Sequence, residues 1–385
     1  MTLEDEARRE LRELEAVHRL RVPRVLDGAQ GARVTIDGVA VINFASNDYL
    51  GLANDPRIRS AMASSLDEDG AGAGASRLIV GNHRRHVALE AAVGDWLQRD
   101  GVRLFNSGYA ANVGVLSSIA RAGDVVFSDE LNHASIIDGC RLSRAEIVVY
   151  PHRDLAALEH ALASHRGARR IVVSESLFSM DGDLADVAAL ATLCRQHDAA
   201  FVLDEAHALG VVGVEGRGVA ATAGVVPDVV VGTFGKALGT FGAFVASSRG
   251  VADLLWNRAR SLVFSTGMPP SLAAGTTAAI ECVRGSDGDA RRRTVIGHAR
   301  RLRAYVPALG GDVDSPIAPL LVGDDRRVMM LMAELLEAGV FVQGIRPPTV
   351  PVGTARLRIS VSAANDAQQL ETLATSLGNA MRQND

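Results

Sequence analysis

Val229-Val230-Val231-Gly232-Thr233-Phe234-Gly235-Lys236 is the stretch on which the reading of this chain turns. Three successive β-branched residues without polar alternation predict a strand buried on both faces. A hydroxyl, a glycine and an amine follow it at once, so polar chemistry sits directly past the strand end. Lys236 is also the single lysine among the 40 Lys and Arg residues. A coding preference for arginine explains the other basic positions but not the one that kept an amine. Arginine stays protonated in proteins, whereas a desolvated lysine can become a neutral nucleophile.

The same texture extends over residues 85–245. Strands are predicted at Val102–Phe105, Val125–Phe127, Ile147–Tyr150, Ile171–Ser174 and Phe201–Leu203. Helical patterns at Ala110–Ala120, His133–Leu142, Leu155–His165 and Val187–His197 separate them. This alternation predicts an α/β fold with a mostly parallel central sheet covered on both faces. Ligands of such sheets bind beyond the carboxyl ends of the strands. Five polar stretches occupy those positions: Asn106–Tyr109, Asp129–His133, Glu175–Ser179, Asp204–His207 and Thr233–Lys236.

The flanks read differently. Residues 1–20 predict a helix with Leu3, Leu11, Leu14 and Val17 on one face, and residues 33–44 a hairpin turning at Asp37-Gly38. Past residue 285 come a charged helix, strands at Ile317–Leu321, Val340–Gln343 and Arg356–Ser360, and a helix at Arg326–Ala338. The expected domains are an N-terminal helix and hairpin segment at 1–45, a large domain at 46–284 and a small α+β domain at 285–385, with the first packing on the last.

Composition narrows the function. With 385 residues, 48% of them hydrophobic, the chain can bury a sizeable core, which excludes a disordered or disulfide-scaffold protein. Acidic residues number 45 against 40 basic ones, with no basic stripe, so no nucleic-acid partner is expected. Cys140, Cys194 and Cys282 lack metal-ligand spacing and fit a reducing compartment. The N-terminal stretch lacks the apolar core of a signal peptide, and no run approaches the ~18 apolar residues of a membrane span. A cytoplasmic location, with no membrane partner and no metal, is the expectation.

Each polar stretch has a bland and a chemical reading. Ser107-Gly108-Tyr109, between strand and helix, can offer backbone N–H groups to a phosphate, though many such turns contain glycine. Gly70–Arg77 resembles a dinucleotide loop but lacks the strand–turn–helix context. Asp204-Glu205-Ala206-His207 spells a helicase box, but no P-loop precedes it; alternatively Asp204 could hold a heterocyclic nitrogen protonated. His133 could stack on a planar cofactor or simply be structural. Arg356 and Arg358 share a strand face. One suits a carboxylate, and the other is expected to be a solvated edge-strand arginine.

Taken together, the chain resembles the α-oxoamine synthase family of pyridoxal-phosphate enzymes, of aspartate-aminotransferase fold (fold type I). The matching stretches are Ser46–Gly51, Gly72–Arg77, Asn106–Tyr109, Asp129–Ser135, Glu175–Gly182, Asp204–His207, Gly216–Gly218, Thr233–Lys236, Phe264–Pro269 and Pro347–Arg358, in the family's order. Ala73, Ala75 and Thr240-Phe241 depart mildly from its pattern. The resemblance implies pyridoxal 5′-phosphate as cofactor, Lys236 forming the Schiff base, Asp204 pairing with the ring nitrogen and His133 stacking on the ring. It places Glu175 in the cofactor pocket, His207 and Ser179 at the phenolic oxygen, and Ser107, the Gly108 and Tyr109 amides and Thr233 around the phosphate. It implies a homodimer in which Ser265 and Thr266 reach the neighbouring subunit's phosphate. Asn47 and Arg358 would take the amino-acid carboxylate; Arg21, or a neighbouring arginine, and Thr349 would take the acyl group.

The stretches Asn47–Gly51, Gly81-Asn82-His83 and Ile345–Thr349 favour the branch that condenses L-alanine with pimeloyl-CoA or pimeloyl-acyl carrier protein. Branches using glycine with acetyl- or succinyl-CoA share the chemistry. A catalytically silent scaffold subunit would typically have lost the lysine.

Overall fold

A computed structural model describes residues 2–382 and divides them into two compact units. One comprises residues 52–179 and 184–292; the other comprises residues up to 51, 180–183 and from 293 onward.

The first unit is built on a seven-stranded sheet. Its strands are β1 (Gly101–Phe105), β2 (Val125–Asp129), β3 (Glu146–Tyr150), β4 (Arg170–Glu175), β5 (Ala199–Asp204), β6 (Val229–Thr233) and β7 (Ala243–Ser247). They lie in the order β1-β7-β6-β5-β4-β2-β3. All neighbours pair in parallel except β7, which runs antiparallel to β1 and β6. Every residue of β2, β6 and β7 is buried, in keeping with the apolar runs Val125–Phe127 and Val229–Val231 that open β2 and β6. On one side of the sheet Val115, Leu116, Ile136 and Leu255 close a core with Val126, Val173 and Val231. On the other, Leu158, Leu162 and Leu190 pack with Phe127, Val172 and Leu203. Each such side chain contributes about 1.5–3 kcal/mol by leaving water. The alternation read from the sequence is present; β7 and the helices Pro56–Asp69, Arg84–Leu97, Arg249–Arg258 and Pro270–Arg284 were not legible in it.

The second unit holds two small sheets. In one, the hairpin Arg33–Ile36/Val39–Asn43 turns at Asp37-Gly38, both at positive φ (50° and 81°), and Val39–Asn43 pairs in parallel with Val340–Phe341. Positive φ at both turn positions matches the right-handed twist of a two-residue hairpin. The other is a three-stranded antiparallel sheet with Ala355–Ser360 between Ile317–Gly323 and Gln343–Ile345. The single strand expected at Val340–Gln343 is therefore two strands in different sheets. The helix Leu3–Ala16 is closed by a Thr2–Asp5 capping box and buries no residue; Leu3 is 83% exposed. Among the described residues no helix is long and apolar enough to cross a membrane, and no group of His, Cys, Asp and Glu could hold a metal ion.

Candidate active site

The carboxyl ends of β1, β4, β5 and β6 put most of the expected residues on one edge of the first unit. Glu175 and Asp204 end adjacent parallel strands and stand opposite each other in register. Both carboxylates are buried. Asp204 accepts the Ala206 N–H at 2.8 Å and Asn112 Nδ2 at 2.6 Å. Glu175 accepts the backbone N–H of His133 at 2.6 Å. Burial, and then the charge of Asp204, push the Glu175 carboxyl up to about 8, with Lys236 pulling the other way.

Lys236 sits half-buried in a tight loop beyond β6. Its carbonyl accepts the Gly239 N–H, and Thr240 N–H returns to the Phe234 carbonyl at 2.9 Å. The Thr233 hydroxyl donates to Gly242 O at 3.0 Å and accepts the Gly235 N–H at 3.2 Å, so it braces the loop that carries the amine. Gly239 has φ +66°, and a Cβ there would stand 2.4 Å from Ala53 N. Only glycine closes this turn.

His133 caps the helix Ala134–Ser143, its Nδ1 accepting the Ser135 N–H at 3.2 Å. Burial holds the imidazole below its ordinary pKa; Asp204 opposes this and the Lys236 charge adds to it. Ser107 caps the helix Gly108–Ile119 through Ala110 N–H, and the helix presents its first N–H groups, those of Gly108 and Tyr109, at its open end. Apart from its chain neighbours and its own turn of helix, nothing lies within 4 Å of where a Gly108 side chain would stand, which leaves room for an anion. Ser179 and His207 are buried in the segments after β4 and β5. Ser265 and Thr266 lie after the short helix Arg260–Val263; Thr266 bridges to Ser76 and takes the Asn106 side-chain amide on its carbonyl.

The other expected residues belong to the second unit. Arg358 is buried and donates to Asn47 Oδ1 at 3.1 Å, Tyr49 Oη at 3.3 Å and Ser360 Oγ at 2.9 Å. Arg21 donates to Thr349 Oγ1 at 3.1 Å, on the wall of a cleft of about 480 Å³ that Met329, Met332, Phe341 and Arg346 also line. The solvated arginine expected beside Arg358 is not there. Ala355–Ser360 is the central strand of its sheet, and Arg356 is buried in an ion pair with Asp181.

The sequence reading passed over Asn112 altogether, and gave no role of their own to Tyr49 and Arg346 within the matching stretches Ser46–Gly51 and Ile345–Thr349. Asn112 holds Asp204, Tyr49 holds Arg358, and Arg346 donates to the carbonyls of His18 and Leu20 behind Arg21. The one signal for Asn112 was a polar residue in an otherwise small and apolar helix, four positions after Gly108.

A buried carboxylate, a half-buried amine and open helix N–H groups fit a phosphorylated heterocycle carrying an aldehyde. The carboxylate suits a protonated ring nitrogen, the amine an aldehyde and the N–H groups a phosphate.

Known proteins agree with that donor set. Residues 39–377 match the family model for class I and II aminotransferases. An 8-amino-7-oxononanoate synthase of Pelobacter propionicus is 46% identical, over 94% of each chain. One from Anaeromyxobacter dehalogenans is 48% identical, over 93% of this chain and 92% of its own. Among solved structures, a serine palmitoyltransferase from S. paucimobilis with bound PLP superposes with a TM-score of 0.93 at 30% identity, covering 98% of this chain and 97% of the other. An 8-amino-7-oxononanoate synthase structure from Francisella tularensis, 24% identical with a TM-score of 0.76 over 89% of this chain and 98% of its own, shares the fold. On sequence, fold and donor set together, the chain belongs to the class I and II aminotransferase family, of PLP fold type I, on the branch its curated 8-amino-7-oxononanoate synthase relatives occupy.

Proposed function

We propose that this chain catalyses the decarboxylative condensation of L-alanine with a pimeloyl thioester, giving 8-amino-7-oxononanoate, CO2 and the free thiol, a step of biotin biosynthesis. The observation that carries the reading is near-full-length similarity to relatives of that name, 46% identical over 94% of the chain in one case. The arrangement of Lys236, Asp204 and Glu175 supports it. When bound, pyridoxal 5′-phosphate supplies an electron sink for charge developing at the alanine Cα.

The chain's own groups do the rest. Lys236 Nζ would hold the cofactor through its aldehyde and, as a free amine, would take the Cα proton of bound alanine. Asp204 keeps the ring nitrogen protonated, since opposite charges favour each other's ionised forms. His133 would stack on the ring, Ser179 and His207 would bond its phenolic oxygen, and Glu175 would belong to the cofactor pocket. Ser107, the Gly108 and Tyr109 amides and Thr233 would hold the phosphate, joined by Ser265 and Thr266 of a second copy in a homodimer. Arg358, steadied by Asn47, takes the alanine carboxylate, and Arg21 with Thr349 takes the acyl group. The new carbon–carbon bond would form as the thioester C–S bond breaks, the thiolate taking up a proton as it leaves; the original carboxylate would then leave as CO2, and a proton would take its place on Cα. The three buried free cysteines are in keeping with a cytoplasmic enzyme.

Thiol release tests the reading directly. L-alanine with pimeloyl-CoA is expected to outpace glycine with acetyl- or succinyl-CoA by at least tenfold in kcat/KM. Preference for either glycine pair would overturn the substrate assignment. Repeating the measurement with pimeloyl-acyl carrier protein identifies the carrier.

A further inference from the structure

Asn112 lies one helical turn beyond Gly108 and is buried. Its Nδ2 donates to Asp204 Oδ2 at 2.6 Å and to Ser135 Oγ at 3.0 Å. Its Oδ1 is buried with no hydrogen-bond partner. Leaving an acceptor bare is unfavourable, so the amide keeps this orientation for what its two N–H bonds reach. The flipped amide would set Oδ1 against a carboxylate oxygen.

Ser135 Oγ therefore accepts from Asn112. It also stands 2.8 Å from His133 Nδ1, and the Ser135 backbone N–H points at that same nitrogen at 3.2 Å. With the Asn112 N–H occupying Ser135 Oγ as an acceptor, the hydroxyl turns its own proton to Nδ1, and that short bond, added to the longer backbone one, leaves the nitrogen without a proton of its own. A neutral imidazole with a bare Nδ1 holds its proton on Nε2. The other charged groups facing His133 are Asp204, Lys236 and Glu175, which accepts the His133 backbone N–H.

We propose that Asn112 is a positioning residue that orients Asp204 through one N–H and, through the other and Ser135, fixes His133 as the neutral Nε2–H tautomer. The proposal rests on the functional reading above for its chemical consequence alone: an uncharged imidazole beside the cofactor ring leaves Asp204 to answer the charge on the ring nitrogen. The hydrogen-bond chain itself belongs to the protein without cofactor.

The test is nitrogen NMR of protein labelled with ¹⁵N-histidine, with pyridoxal phosphate bound and after its removal. The His133 signals are those lost in His133→Gln. Wild type is expected to show a pyridine-type Nδ1 and a pyrrole-type Nε2 in both forms. Asn112→Ala is expected to give mixed tautomers and to weaken pyridoxal phosphate binding, followed by fluorescence, about tenfold. Should that variant not fold, Ser135→Ala breaks the chain one link further on. It is expected to mix the tautomers while the affinity stays within about threefold. An Nδ1–H tautomer in wild type overturns the proposal, as does an unchanged His133 pattern in the folded variant. A bare Nδ1 in protein that takes up no pyridoxal phosphate supports the chain and defeats the functional reading instead.

Discussion

Glu175 Oε1 accepts the backbone N–H of His133 at 2.6 Å, tying the end of β4 to the cap of the helix Ala134–Ser143. The carboxyl is fully buried beside Asp204, and its pKa is raised from 4.5 to about 8. A carboxyl raised on folding binds more protons in the native state than in the unfolded one. Its favourable contribution is present below the unfolded pKa and is lost as pH climbs to about 8. Glu175→Gln keeps the acceptor for His133 and removes the titration. In cofactor-free protein, the melting temperature of the variant is expected to gain on wild type between pH 5 and 8. Parallel melting curves for the two proteins across that range would remove this role from Glu175.

The two arginines of the strand Ala355–Ser360 are expected to separate into one for substrate and one for stability. Arg358→Lys loses the forked contact and should raise KM for alanine about 10–100-fold, with KM for the thioester little changed. Arg356→Ala abandons Asp181, whose side chain is about one-third exposed, and should destabilise the fold by about 2–3 kcal/mol with alanine KM unchanged. Steady-state kinetics and denaturant unfolding on both variants check the division; an equal rise in alanine KM for both would reject it.

Two glycines give opposite expectations for the same substitution. Gly239→Ala meets a left-handed φ and a backbone nitrogen, so it should cost more than about 1–2 kcal/mol and disturb the Lys236 loop. Gly250→Ala sits in the first turn of the helix Arg249–Arg258 with open space around it, and should be neutral or raise stability by up to about 0.5–1 kcal/mol. Thermal unfolding of the pair decides; a harmless Gly239→Ala would contradict the geometry of the turn.

Arg21 and Thr349 share a hydrogen bond on a cleft whose walls include Met329, Met332 and Phe341. Arg21→Ala should raise KM for the pimeloyl thioester about tenfold and leave alanine KM within twofold, as loss of one charge-assisted contact predicts. The reverse pattern would move Arg21 out of the acyl site.

How much of this was legible beforehand follows from local physics. Parallel strands buried on both faces write themselves as apolar runs, so β2, β4, β5 and β6 could be read directly. β7, Ala243-Phe-Val-Ala-Ser247, is short, rich in small residues and follows a glycine-rich loop, so it carries no such mark. Asp204 was visible because it ends a strand, and Lys236 because it follows one by three residues. Asn112 was not, because a helix-interior asparagine shows its purpose only when a strand end distant in sequence packs against it. The burial of Arg356 was equally hidden, since it depends on Asp181 in a segment contributed from elsewhere in the chain.

The covalent role of Lys236 is the centre of the account. Borohydride reduction of the protein loaded with pyridoxal 5′-phosphate, followed by proteolysis and mass spectrometry, should find a pyridoxyl-phosphate adduct on the peptide carrying Lys236. Lys236→Ala should yield no adduct and retain less than about a hundredth of wild-type turnover. An adduct on any other peptide, or full activity without that amine, would contradict it.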